Sequence, residues 1–124
     1  MKATILVTDD TAFIRSSLKS ILENAGFESV AEAVDGQDAI DQFCKLKPDI
    51  VLLDSDMPRV DGLQAIREIC KLDPKASVIL CTSAGQGSTI KEAMQIGAKG
   101  YLVKPYNSEV VVDRIREILD TDVA

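Results

Sequence analysis

Histidine is missing from this chain of 124 residues, and that absence removes more chemistry than any other feature of the composition. Without an imidazole there is no Ser-His-Asp or Cys-His nucleophile, no metal site built on histidine, and no phosphohistidine carried by the chain itself. Cysteine is scarce: Cys44, Cys70 and Cys81 are odd in number, widely spaced, set among apolar residues and without any Cys-x-x-Cys pair. They read as buried free thiols in a reducing compartment, not as disulfides or zinc ligands. No apolar run nears the about 20 residues a membrane helix needs, and "MKATILVTDD" lacks the long apolar stretch and small-residue cleavage site of a signal peptide. No membrane insertion is expected, and the expected location is the cytoplasm. A Lys/Arg-rich run is also missing. With a formal net charge of −6 the chain is poorly equipped to neutralise phosphates, so nucleic acid is not an expected partner.

What is present is ordinary globular material, 46% hydrophobic and 27% charged, in a length that makes one domain with a core of its own. Short apolar runs at Ile5 to Val7, Val30 to Ala33, Ile50 to Leu53, Val78 to Cys81 and Tyr101 to Val103 read as strands. Between them, apolar residues recur at helical spacing. Ile14, Leu18, Ile21, Leu22 and Ala25 fall on one face before Gly26 offers a stop; Ala39, Ile40 and Phe43 repeat the pattern before Pro48. Leu63, Ile66, Ile69 and Cys70 end before Pro74, and Ile90, Ala93 and Met94 end at Gly97. Val111, Ile115, Ile118 and Leu119 make the last helix, with Asn107 or Ser108 as its N-cap. Five strands alternating with five helices predict an α/β fold: a doubly wound parallel sheet of flavodoxin-like order 2-1-3-4-5, covered on both faces. The less apolar "SVAEAV" suits an edge strand. No linker or low-complexity tract divides the chain, and residues 1–124 read as one domain.

In such sheets ligands bind beyond the carboxyl ends of the strands, where the order reverses. The residues just past each strand are therefore the informative ones: Asp9 and Asp10 after the first, Asp54 at the third, Thr82 and Ser83 at the fourth, Lys104 before Pro105 at the fifth. The order 2-1-3-4-5 brings Asp9, Asp10 and Asp54 together. Carboxylates 4 Å apart repel by about 4 kcal/mol per pair at an effective dielectric constant near 20, so a cation is needed. Hard oxygen ligands beside a place for a phosphate suit Mg²⁺ better than Ca²⁺ or Zn²⁺. Lys104 and the Thr82 hydroxyl are expected to face the same space. Together these groups describe phosphoryl transfer to a carboxylate, with Asp54 as nucleophile and the metal, Lys104 and Thr82 taking up charge on the transferring group.

Asp9 and Asp10, Asp54 with Met57 and Pro58 behind it, Asp61 and Gly62, Thr82, "GAKGY" at 97–101, and Lys104 with Pro105 give the chain a resemblance to the receiver domain of two-component response regulators, above all the free-standing CheY-like kind. The resemblance spans residue 4 to about residue 119. It implies that Asp54 accepts phosphate from a histidine kinase, that Asp10, Asp54 and the main-chain carbonyl of Asp56 contact Mg²⁺, and that Asp9 holds the ion through water. It further implies a switch pair, Thr82 and Tyr101, a cis peptide before Pro105, and a partner-binding face made by the fourth helix, fifth strand and fifth helix. The implied partners are the kinase, a downstream protein such as a flagellar motor component or another effector, and a phosphatase; chemotaxis is the favoured context and a monomer the expected state. With no output domain apparent, the readout is expected in trans. Asp56, Ser83 and Ser55 depart from the residues frequent in the family and are expected to modify phosphoryl lifetime or metal affinity.

Plainer readings stand beside these. Asp9 and Asp10 could cap the first helix, Asp56 could be a solvated loop charge, Lys104 a surface lysine, Thr82 a β-branched strand end, and Tyr101 half-buried packing. "SAGQGST" fits neither GxGxxG nor GxxxxGK[ST] and reads as a flexible loop. "LLDSD" also resembles the DxD of haloacid-dehalogenase-type phosphatases, which makes a small Mg²⁺-dependent aspartyl-nucleophile enzyme the alternative. Chain order opposes it, because the paired acids come first here, and the length leaves no room for a cap domain. A relay receiver outside chemotaxis is the other alternative.

Overall fold

A computed structural model of the chain describes residues 3–57 and 60–123; Pro58 lies outside the described residues. The apolar runs form strands β1 (Thr4–Thr8), β2 (Ser29–Ala33), β3 (Ile50–Asp54), β4 (Val78–Ser83) and β5 (Gly100–Lys104). The amphipathic stretches form helices α1 (Ala12–Asn24), α2 (Gly36–Leu46), α3 (Gly62–Leu72), α4 (Gly87–Ile96) and α5 (Ser108–Val123). All strand pairs are parallel, in the order β2-β1-β3-β4-β5. This is the flavodoxin-like doubly wound arrangement that the alternation predicts.

The helix ends follow local chemistry. Asp35 and Asp61 accept hydrogen bonds from the Asp38 and Gln64 amides at 2.8 and 2.9 Å, capping α2 and α3. At α5 the cap is Asn107, whose side chain accepts from the Val110 amide at 3.2 Å. Gly26, at φ +100°, terminates α1 in a conformation that costs a side chain energy.

Side-chain alternation divides the core in two. Leu6, Val51, Leu53, Val78 and Leu80 face α2, α3 and α4. Ile5, Val7, Leu52, Ile79, Cys81 and Leu102 face α1 and α5, against Leu18, Leu22, Val111 and Ile115. β3, second from neither edge but central to both layers, is buried along its whole length, which explains its unbroken apolar run. Each such Leu or Ile stabilises the fold by about 1.5–3 kcal/mol through burial. β2 lies at an edge and is more exposed, as its composition suggests.

The expectation of buried thiols holds for Cys81 alone. All three cysteines are free, but Cys44 is exposed and Cys70 half-buried; Cys44 follows Phe43, which occupies the inward face of α2, and one helical step turns it toward solvent. Met94 is likewise 43% exposed. Among the described residues no helix is long and apolar enough to cross a membrane.

Gly62 ties the fold to the residues that matter below. A Cβ there would lie 2.5 Å from the Asp54 carbonyl oxygen and 2.8 Å from the Ser55 Cα, whereas one on Gly87 would meet nothing within 4 Å. Gly62→Ala should therefore cost about 1–3 kcal/mol by overpacking, and Gly87→Ala should stay within about 0.5 kcal/mol of the parent, both read from urea unfolding. Equal effects would show that α3 does not press on the end of β3.

Candidate functional site

Strand register explains why the acids meet. Thr8 of β1 stands opposite Leu53 of β3, so the next residues, Asp9 and Asp54, emerge side by side at the carboxyl end of the sheet. Both are buried, at 1% and 3% exposure, whereas Asp10 is exposed. One carboxylate oxygen from each of Asp9, Asp10 and Asp54 lies within 4.8 Å of the others. Lys104 ends β5, on the far side of β4 from β3. Its long side chain crosses the end of β4 and brings Nζ to 2.9 Å from Asp54 Oδ1 and 3.4 Å from Asp9 Oδ2.

The segment that carries Asp9 is braced from both directions. Asp9 Oδ1 accepts from the Thr11 amide at 2.8 Å. Arg15, one turn into α1, donates to the Asp9 carbonyl at 2.7 Å and pairs with Glu32 of β2 at 3.1 Å. The capping alternative thus has some substance, since Asp9 does satisfy an amide at the start of α1. Its other oxygen, however, is turned to Lys104. Arg15 passed unremarked in the sequence, where its one signal is a charge set among the apolar residues of α1.

Burial dominates the electrostatics. It pushes the Asp54 carboxyl above its ordinary 3.8; the hydrogen bond from Lys104 works the other way, and the charge of Asp9 adds to the rise. For Lys104, burial lowers the ammonium, but the combined hydrogen bonds and attraction of Asp54 and Asp9 outweigh it and hold the group above 10.5. Three carboxylates gathered with one ammonium leave the cluster short of positive charge even after Lys104 is counted. An all-oxygen donor set at these separations, whose central member is still disfavoured as an anion, fits a hard divalent cation. Asp56 is exposed, and its amide donates to Asp54 Oδ1 at 3.4 Å.

Thr82, near the end of β4, has Ser55 as its side-chain partner. It is fully buried, and its Oγ1 accepts a hydrogen bond from the Ser55 hydroxyl at 3.1 Å. Side chains alternate along a strand. Asp54 and Cys81 point to the α1/α5 side, so Ser55 and Thr82, each one residue further along, point to the α3/α4 side. Lys104 bonds Asp54 directly, while the Thr82 hydroxyl is engaged by Ser55. Tyr101 and Val103 lie on the outer edge strand, 41% and 40% exposed. The Lys104–Pro105 peptide is cis. Cys81, the neighbour of Asp54 across the β3–β4 pairing, has its thiol pushed up to about 12 by burial, which makes it inert as a nucleophile. A hollow of about 400 Å³ between Phe43, Cys44, Lys47, Pro48, Leu72 and Asp73 opens at the opposite end of the sheet.

A pH prediction follows from Asp54. A carboxyl raised in the folded state contributes stability that is complete below its unfolded value of 3.8 and is lost as pH rises through the higher folded value. Without metal, the parent protein should lose stability relative to Asp54→Asn as pH climbs through that window, as measured by urea midpoints; a constant difference would contradict the burial of the charge. Comparison with known proteins agrees with the geometry. A family model described as the response regulator receiver domain matches residues 5–116. The chain is similar to the chemotaxis protein CheY of Thermotoga maritima, 42% identical over 95% of this chain and 98% of that one. It is also similar to CheY of Bacillus subtilis, 41% identical over 97% and 100%. A crystal structure of a CheX-CheY-BeF3-Mg²⁺ complex from Borrelia burgdorferi superposes with a TM-score of 0.90 at 30% identity, covering 94% of this chain and 89% of the other. With acids and lysine gathered at the carboxyl ends of a sheet ordered 2-1-3-4-5, the chain belongs to the response regulator receiver domain family.

Proposed function

We propose that the chain is a phosphoacceptor switch, a single receiver domain over residues 1–124 that takes a phosphoryl group from a histidine kinase onto Asp54. The observation that carries this reading is the position of Lys104 Nζ, 2.9 Å from Asp54 and 3.4 Å from Asp9, within a cluster of three carboxylates. In the transfer, an Asp54 oxygen forms the new bond to phosphorus while the bond from phosphorus to the donor imidazole breaks and returns its electrons to the ring. Lys104 is placed to hold the acceptor carboxylate and then to pair with the phosphoryl oxygens. Asp9, Asp10, Asp54 and the main-chain carbonyl of Asp56 are the groups that would hold Mg²⁺, which supplies positive charge against the transferring group when bound.

The readout is a change of surface. Thr82 moves toward the phosphoryl group, Tyr101 turns inward, and a partner protein binds the face made by α4, β5 and α5. The exposed apolar side chains of Tyr101, Val103 and Val110 on that face support a protein partner. Similarity to CheY proteins over nearly the full length of both chains supports chemotaxis in the cytoplasm, with a flagellar motor component or other effector downstream, a phosphatase to end the signal, and a monomer as the working state. The phosphoryl group decays by hydrolysis on Asp54, and the chain does not turn over a separate substrate.

Incubation with a small acyl phosphate and Mg²⁺ should add one phosphoryl group to the parent protein and none to Asp54→Asn, by intact mass. A generic phosphomonoester should not be turned over measurably by either. Labelling that survives in the variant would move the acceptor elsewhere, and steady turnover would favour the phosphatase alternative.

A further inference from the structure

We infer that Ser55 is a latch on the switch: its hydroxyl holds Thr82 in the resting rotamer and so sets how readily the domain adopts its active state. The inference rests on reading Asp54 as the phosphoacceptor. The register pairs Asp54 with Cys81, and the Ser55 amide bonds the Cys81 carbonyl at 2.8 Å, which brings Ser55, just past the end of β3, level with Thr82 of β4. There the Ser55 hydroxyl donates to Thr82 Oγ1 at 3.1 Å. Asp54, Asp9 and Lys104 meet on the α1/α5 side. A phosphoryl group attached to Asp54 and paired with Lys104 thus meets a threonine hydroxyl already engaged by Ser55.

Thr82 is β-branched, and its hydroxyl changes direction by jumping between a few χ1 rotamers. Reaching the phosphoryl group means abandoning the Ser55 bond. Because Thr82 is fully buried, its hydroxyl has no water to fall back on in the resting position. Ser55 is the one partner given to that oxygen among the described residues. Removing Ser55 takes from the buried Thr82 oxygen its hydrogen-bond donor in the resting state and costs the active state nothing, since there the threonine has left Ser55 and donates its own proton to the phosphoryl oxygens. The equilibrium moves toward the active form, and any ligand selective for that form gains apparent affinity by the same factor. Ser55 is thereby a positioning residue that acts through Thr82, and its effect has a sign opposite to that of a residue helping the phosphoryl site directly.

The test is a titration of the full chain with beryllofluoride in the presence of Mg²⁺, followed through backbone amide shifts, for the parent, Ser55→Ala and Ser55→Thr. Ser55→Ala should reach half-saturation at about three- to tenfold lower beryllofluoride, the factor expected for loss of one buried hydrogen bond. Ser55→Thr keeps the hydroxyl and should return to the parent midpoint. Urea unfolding without ligand separates a merely structural role, in which Ser55→Ala loses stability but keeps the parent midpoint for beryllofluoride. That result, or a higher midpoint, overturns the latch while the phosphoacceptor reading stands. Amides around Asp54 that stay unmoved in the parent overturn both.

Discussion

Repulsion among carboxylates is the constraint on which the active end of this domain depends. The topology forces Asp9 and Asp54 to emerge together from adjacent buried strands, and Asp10 adds a third charge within 4.8 Å. Unfolded, Asp54 is far along the chain from Asp9 and Asp10, and all three are hydrated. Folding therefore gathers and buries negative charge against its own preference, and the upward displacement of the Asp54 carboxyl, caused first by burial and then by the charge of Asp9, records the cost. Lys104 offsets part of it by reaching across β4. The remaining deficit is one that a divalent cation would fill.

The sheet separates the two tasks that a switch must couple. Charge chemistry lies on the side of α1 and α5, where Asp9, Asp54 and Lys104 converge. The Ser55–Thr82 pair lies on the side of α3 and α4, next to the half of the core that those helices cover. Coupling between the sides runs through the ends of β3 and β4, where consecutive residues point in opposite directions. On the proposed function, a phosphoryl group on Asp54 would draw Thr82 toward it and disturb packing near α4 without moving the strands, which the buried core holds firmly. That is why a small charge event can become a change of binding surface.

Much of this was legible in the sequence. Alternating runs such as "DIVLL" and "SVIL" could only be buried parallel strands, and the strand order followed from the commonest winding of five units; the acids after β1 and β3 then had to meet. Asp54 was conspicuous because a charge at the end of a fully apolar run has no structural reason to be there. Thr82 is readable by its place at a strand end and by the family resemblance, but its bond to Ser55 is not, because it depends on the register of Asp54 against Cys81. The contacts of Ser55 and Arg15 are hidden from the sequence for a related reason. Each acts through a partner distant in sequence, Thr82 in one case and Glu32 with the Asp9 carbonyl in the other, and no local pattern announces such pairs. The exposure of Cys44 shows the same limit on a helix, where one step separates core from solvent.

The central claim, that the gathered acids form a magnesium cradle, is tested most directly by folding stability measured as a function of Mg²⁺ in the parent and in Asp10→Asn. An ion that binds the folded state alone stabilises by RT ln(1 + [Mg²⁺]/Kd), about 1.4 kcal/mol for each tenfold rise beyond Kd. The account predicts that the parent follows this curve while Asp10→Asn stays nearly flat over the same concentrations. Parent stability that is indifferent to Mg²⁺, or that rises equally in both proteins, would contradict it.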